Sequence, residues 1–270
     1  MLYFESLKIN KLLITIVINL VNMSFSIILP TLNEKGHILK LIDEISYIFI
    51  KRNLNFEIIV VDDNSTDGTI ETVKKYQEKK DFLKTIIRKD KKNNLAASIN
   101  EGINLSIYEY VIWMDADFQH PPKYIEEFIN KSKNFDAVIA SRFLKDSERY
   151  FNKKYLKKEI NENQSYLYNK ICKLLFFNDI TDYTSGFICV KKIFFKKYSL
   201  SGFYGDYFVD LIIELKKNKM KIDEIPFEDS ERASGFSKTV VTINLNYIYT
   251  CVRYFFTLLR TFARFKFSFD

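Results

Sequence analysis

From residue 24 onward the chain alternates short apolar runs with longer stretches in which apolar residues recur every three or four positions. The runs at 25–29, 57–61, 84–87, 110–114 and 137–140 have the length and largely apolar character of buried strands. Between them, 36–52 places Ile38, Leu41, Ile42, Ile45, Ile48 and Phe49 at helical spacing, and 69–80, 94–106 and 123–131 follow the same rule. Strand and helix alternating in this way predict an α/β fold, a mostly parallel sheet with helices on both faces. Each predicted strand ends in a polar cluster: Asn33 and Glu34, Asp62 and Asp63, Asp115 and Asp117, Ser141 and Arg142. In a parallel sheet these clusters gather along the carboxyl edge, where such folds bind nucleotides.

The later chain is less regular. Residues 145–165 are rich in Lys, Asn, Glu and Tyr and read as a mobile loop. A helix is expected over 166–177, a structured segment over 182–190, a helix over 207–217 and a strand over 221–225. From 239 to the end apolar and aromatic residues dominate, with Arg253, Arg260, Arg264 and Lys266 interspersed. That pattern predicts one or two amphipathic helices lying on a membrane surface, since Arg253 and Arg260 divide the run too often for a span. The alternative is a helix that caps the core. Residues 1–22 form an apolar extension, too short and too interrupted at Asn19 to cross a bilayer, which needs ~20 residues. The expected organisation is an extension (1–22) outside the fold, a catalytic domain (23–238) and an amphipathic membrane-interface segment (239–270).

Composition narrows the chemistry. The 270 residues are 47% hydrophobic, enough for one sizeable core, and the net charge of +7 suits an anionic partner: a phosphorylated substrate, a membrane surface or nucleic acid. No nucleic-acid-binding motif is present, so nucleic acid is not an expected partner. Cys172, Cys189 and Cys251 are widely spaced and odd in number, which argues for a reducing compartment. With two histidines and no Ser-His-Asp constellation, hydrolytic triad chemistry is excluded.

Asp115-Ala116-Asp117 follows the apolar run 110–114, and Pro121 and Pro122 then open a new helix. Two carboxylates two residues apart at a strand end, with Gln119 close behind, offer hard oxygen ligands suited to Mg2+ or Mn2+. Asp62 and Asp63 stand at the tip of another strand, before Ser65, Thr66, Asp67 and Gly68. They read either as a turn and helix cap, with Asp67 or Thr66 capping, or as acceptors for a base or ribose. Pro30, Asn33 and Glu34 carry the same two readings. His37 and His120 are isolated and are expected to be loop or capping residues.

Six ordered motifs carry a resemblance. Pro30 with Asn33 and Glu34; Asp62 and Asp63 through Gly68; Asp115, Asp117, Gln119, His120 and the Pro pair; Ser141-Arg142-Phe143; Asp182 with Ser185-Gly186-Phe187; and Arg232 with Gly235, Ser237 and Lys238 follow in the order and spacing of family 2 glycosyltransferases. The chain resembles the dolichyl-phosphate mannosyltransferase and bacterial polyprenyl-phosphate hexosyltransferase subgroup over about residues 24–240. The resemblance implies a GT-A fold and an inverting, metal-assisted transfer of hexose from a nucleotide-diphosphate sugar to a polyprenyl or dolichyl phosphate. By motif match, Asp115, Asp117 and Gln119 would hold the cation. Pro30, Asn33, Glu34, Asp62 and Asp63 would line the nucleotide pocket. Arg232 and Lys238 would reach the donor diphosphate, and Arg142 and Ser165 the acceptor phosphate. Asp117, Arg142 and Arg232 are the residues on which catalysis would rest. GDP-mannose ranks ahead of UDP-glucose as donor because His120-Pro121-Pro122 is closer to the mannosyl-type motif.

The resemblance also implies work at the cytoplasmic face of a membrane, with an anchoring partner subunit as an option. Three departures stand out, the first being that residues 144–149 replace the Gly-rich stretch the family has after Ser141-Arg142-Phe143. Asn161 and Glu162 occupy positions where the family has an Arg pair, which Lys157 and Lys158 would have to replace. Asp210 stands where relatives usually have Glu. The competing readings are a GT-A enzyme acting on a glycan acceptor and a non-catalytic nucleotide-sugar binding module.

Overall fold

The computed structural model describes residues 23–89, 94–144, 160–202, 205–230 and 245–267. The extension 1–22, the loop 145–159 with Lys157 and Lys158, and Arg232 and Lys238 lie outside the described residues. Seven strands form one sheet: β1 (Ser24–Thr31), β2 (Asn55–Asp62), β3 (Leu83–Ile87), β4 (Tyr110–Trp113), β5 (Ala137–Ser141), β6 (Ile188–Lys191) and β7 (Ile222–Pro226). Their order is β3-β2-β1-β4-β6-β5-β7. All neighbours pair in parallel except β6, which runs antiparallel to both β4 and β5. The mostly parallel sheet expected from the sequence is present, with this reversed strand inserted in it.

Among the described residues seven α-helices flank the sheet: α1 (Ile38–Lys51), α2 (Thr69–Gln77), α3 (Leu95–Leu105), α4 (Ile125–Lys131), α5 (Ile160–Leu175), α6 (Tyr207–Lys217) and α7 (Leu245–Phe267). Alternation along β1 divides the core. Phe25, Ile27 and Leu29 point to one side, with α1 and α4, whereas Ile28 points to the other, with α3, α5, α6 and α7. Gly102 lets α3 close onto β1, since a Cβ there would lie 2.5 Å from Ile28 Cγ2.

One expectation needs correcting. Residues 160–165, read as part of a loop, form the first turns of α5. Their run Asn161, Glu162, Asn163, Gln164 is polar throughout, so no apolar period marks it as helix. Within the terminal segment, Leu245–Phe267 forms one helix docked on α6, and the capping alternative describes its inner face. Thr257, Leu258 and Thr261 are buried there. Phe265 packs edge-on against Phe176 and Phe177, with ring centroids 5.5 and 5.3 Å apart. The outer face keeps Val252, Phe255, Phe256 and Leu259 between 44% and 63% exposed. Among the described residues no helix is long and apolar enough to cross a membrane.

Candidate active site

β1 is a topological switch point: the chain runs outward from it through β2 and β3 on one side, and β4 lies on the other. The loops after β1, β2 and β4 therefore converge at one crevice, the usual ligand position in an open α/β sheet. The first two loops are laced together. Asp63 N donates to Thr31 O at 2.8 Å, Asn33 N to Ser65 Oγ at 2.8 Å, and Thr66 N to Asn33 Oδ1 at 2.8 Å. Lys35 N donates to Asp67 Oδ2 at 3.1 Å and Glu34 N to Thr69 Oγ1 at 2.9 Å. Asn33 holds a left-handed backbone (φ 57°), which asparagine tolerates better than most side chains.

This lacing assigns work to the predicted nucleotide residues. Asp62 is fully buried, and its carboxylate accepts from Ser65 N and Ser65 Oγ, the turn-forming role. The Asn33 amide oxygen is engaged by Thr66. Glu34, mostly buried, pairs with His37 Nε2 at 2.8 Å. Asp63 faces Arg88, a residue the sequence reading did not single out. The Arg88 guanidinium, 4% exposed, bonds Asp63 Oδ1, and Ser98 Oγ donates to the same oxygen at 2.7 Å. Asn94 N reaches Asp63 Oδ2 at 3.2 Å, and Glu101 takes Arg88 Nε at 3.3 Å. A buried ion pair survives only when its remaining donors and acceptors are met, and these are.

Asp115, Asp117 and Gln119 stand together past the end of β4. Asp117 is 3% exposed and accepts from Gln119 N at 3.0 Å, while Phe118 between them takes a left-handed backbone (φ 66°). Asp115 N donates to His120 Nδ1 at 2.9 Å. Burial pushes the His120 imidazole down to about 4, against the pull of Asp117, so the ring is neutral. It stacks on Phe187 with centroids 4.9 Å apart. His120 is thus the loop-fixing residue expected, and it joins the acidic strand end to the segment Asp182–Phe187.

Two carboxylates and an amide suit a magnesium-like cation, which takes one or two carboxylates and leaves its other positions to water and substrate phosphates. Among the described residues no group of three or more His, Cys, Asp or Glu could hold a metal. The set therefore fits a cation shared with a diphosphate, not an all-protein cage.

On the far side of His120, Arg142 at the end of β5 forms a two-pronged pair with Asp182: Nε to Oδ2 at 2.8 Å and Nη2 to Oδ1 at 3.0 Å. Asp182 is fully buried. Burial opposes both charges, but each outweighs the penalty for the other. Asp182 holds the guanidinium above its ordinary value and Arg142 holds the carboxyl below its own. Thr184 Oγ1 gathers the neighbours, accepting from Arg142 Nη2 at 2.8 Å and Asn169 Nδ2 at 3.0 Å, with Ser165 Oγ 3.0 Å away. Arg142 and Ser165, distant in sequence, thus meet through one hydroxyl.

Behind them lies Glu224 of β7, which accepts from Thr181 N, Thr181 Oγ1 and Asp182 N. Burial, helped by Asp182, outweighs those bonds and pushes Glu224 up to about 7 from its ordinary 4.5. A carboxyl raised on folding stabilises fully below its unfolded value and loses that contribution as pH rises through the folded one. Thermal stability should therefore fall between about pH 5 and pH 8, and Glu224→Gln should flatten the fall. Calorimetry at those two pH values reads this directly, and an unchanged slope in the variant would refute it.

Asp182 was noted in the sequence only as part of a motif, and Thr184, Asn169, Glu224 and Arg88 were not singled out. Their one signal is polarity next to apolar runs, which does not name a partner 40 residues away.

The model of the family described as Glycosyl transferase family 2 matches residues 26–199. A dolichol-phosphate mannosyltransferase of Pyrococcus furiosus is 31% identical over 217 residues, covering 80% of this chain and 59% of that one. A dolichol-phosphate mannosyltransferase of Mycosarcoma maydis is 32% identical over 127 residues, covering 44% and 42%. The chain thus spans less than two thirds of the length of either relative.

Among solved structures, glucosyl-3-phosphoglycerate synthase of Mycobacterium tuberculosis, in complex with Mn2+, UDP and glucosyl-3-phosphoglycerate, superposes with a TM-score of 0.63. It is 14% identical, over 89% of this chain and 80% of that one. Mannosyl-3-phosphoglycerate synthase of Rubrobacter xylanophilus gives a TM-score of 0.62 at 16% identity, over 90% and 73%. At such identities the likeness is one of fold, and it makes this sheet and its helices GT-A-like. With the family model spanning β1 to β6 and the acidic strand end, the chain belongs to glycosyl transferase family 2.

Proposed function

We propose that the protein transfers a hexose from a nucleotide-diphosphate sugar to a polyprenyl or dolichyl phosphate, with inversion. The observation that carries this reading is the meeting of Arg142 and Ser165 at Thr184, across His120 from Asp115 and Asp117. A guanidinium and hydroxyls beside an acidic strand end suit two anionic reactants brought face to face. The curated relatives named as dolichol-phosphate mannosyltransferases support mannose as the sugar and a lipid phosphate as the acceptor.

Asp115, Asp117 and Gln119 would hold Mg2+ or Mn2+, the ions present in crystals of the Mycobacterium tuberculosis synthase. Bound there, the cation would offset charge on the leaving diphosphate. Pro30, Glu34 and Asp63, on the laced loops after β1 and β2, would line the nucleotide side, and Arg232 and Lys238 are proposed to reach the diphosphate. Arg142 fixes the acceptor phosphate in line, and its pairing with Asp182 pre-orients the guanidinium before substrate arrives. A phosphate monoester is ionised at neutral pH, so it attacks without a general base. The exposed stripe Leu167, Ile171 and Leu174 on α5 lies on a helix that touches α7, whose own outer face is apolar. Together they would rest on the cytoplasmic face of a membrane, where the lipid acceptor resides.

The test offers the protein radiolabelled GDP-mannose and UDP-glucose in parallel, with Mn2+ and a polyprenyl phosphate. Label entering the organic phase from the mannosyl donor is the expected result. Label passing to a soluble saccharide, with none in lipid, would overturn the acceptor assignment.

A further inference from the structure

The inner face of α7 is polar, and α6 answers it residue by residue. Arg253 Nη2 lies 3.4 and 3.5 Å from the two oxygens of Asp206, and Thr257 Oγ1 donates to Asp206 Oδ2 at 3.2 Å. One helical turn along α6, Arg260 Nη2 and Thr261 Oγ1 bond the two oxygens of Asp210. Asp206 and Asp210 are 4% and 5% exposed. Buried carboxylates demand partners, so these two hold α7 in one register. A helix whose only task was to lie on lipid would need no such fixed register.

That register brings Tyr254 to the acceptor side. Its ring stands edge-on to Tyr168, with centroids 5.3 Å apart, and Tyr168 Oη donates to the Tyr254 carbonyl at 3.2 Å. Tyr168 follows Ser165 by one turn of α5. The Tyr254 hydroxyl sits so close to Gly205 that a Cβ there would fall 2.6 Å from it. Only glycine leaves it room. Burial and the Asp206 carboxylate outweigh Arg142 and hold the phenol above its ordinary value, so it stays a protonated donor.

We infer that Tyr254 is a residue of the acceptor half of the site: α7, docked on α6, sets it against Tyr168, one turn along α5 from Ser165, as a further donor to the acceptor phosphate. The helix whose outer face meets the membrane thereby also completes the pocket. This rests on the function proposed above.

The test uses a short, water-soluble prenyl phosphate without membrane, so that anchoring and site completion separate. Tyr254→Phe should raise the KM for this acceptor roughly tenfold, the scale of one hydrogen bond to a charged group, and leave the KM for the sugar nucleotide unchanged. Gly205→Ala pushes the same hydroxyl aside and should do likewise. The double variant should lose no more than either single one, because both act through one group. The Tm shift given by GDP or UDP with Mn2+ serves as the folding control. An unchanged acceptor KM in Tyr254→Phe, losses that multiply in the double variant, or a defect confined to vesicle binding would each overturn the inference. Wild-type protein that transfers to no prenyl phosphate would instead overturn the parent function.

Discussion

Replacing Asp117 by alanine is expected to cut sugar transfer roughly 10³-fold, about 4 kcal/mol of transition-state stabilisation. The size follows from how the carboxylate is held. Asp117 is 3% exposed, tethered by Gln119 N and set by the left-handed Phe118, so it arrives already oriented and partly stripped of water. A carboxylate pre-organised in this way would hold a cation where negative charge develops, without reorganisation. Substitution would loosen that cation and leave the proposed leaving diphosphate uncompensated. Asp117→Ala should also abolish the thermal stabilisation that a nucleoside diphosphate gives in the presence of Mn2+, while the Tm of the bare protein moves little. Transfer within threefold of wild type would rule out a role for this carboxylate in holding the cation.

Asp182→Ala should have the largest effect on stability, a loss of about 3–5 kcal/mol in denaturant unfolding. Asp182 is fully buried, and its oxygens accept from Arg142 Nε, Nη2 and N and from Thr184 N. Removing it strands a guanidinium whose side chain is only 16% exposed. Exchanging both partners for apolar residues of similar volume, Arg142→Met with Asp182→Leu, should recover much of that stability. The double variant should nevertheless stay inactive, because it lacks the cation proposed to fix the acceptor. A double variant no more stable than Asp182→Ala would refute the ion-pair account, and one that transfers sugar would remove Arg142 from the acceptor site.

The strands were legible because central parallel strands are buried on both faces and read as unbroken apolar runs, as Ile27 to Leu29 and Ile58 to Val61 do. The reversed direction of β6 was not legible, since Ile188–Lys191 is four residues long and an apolar run carries no sign of direction. The acidic strand end was visible, because Asp115 and Asp117 are close in sequence. The Arg142–Asp182 pair was not, because it is made by the fold.

Helix α7 misled in an instructive way. Arginines in an apolar helix are read as facing water or headgroups, yet Arg253 is half-buried against Asp206, and Arg260, though exposed, reaches back to the buried Asp210. Patterning assumes that charge points outward. It fails where a neighbouring element supplies the opposite charge from more than 40 residues away.

The antiparallel insertion of β6 has a consequence for synthesis. The rungs β3-β2-β1-β4 are complete once Trp113 has emerged, but β5 has no place beside them until β6 arrives to lie between β4 and β5. Translation from Trp113 to the end of β6 takes roughly 4–16 s at ribosomal speeds. Over that interval the nascent half-sheet carries an unsatisfied edge at β4, and a strand of another chain could dock there. Chains arrested between these two points should be the form most dependent on chaperones.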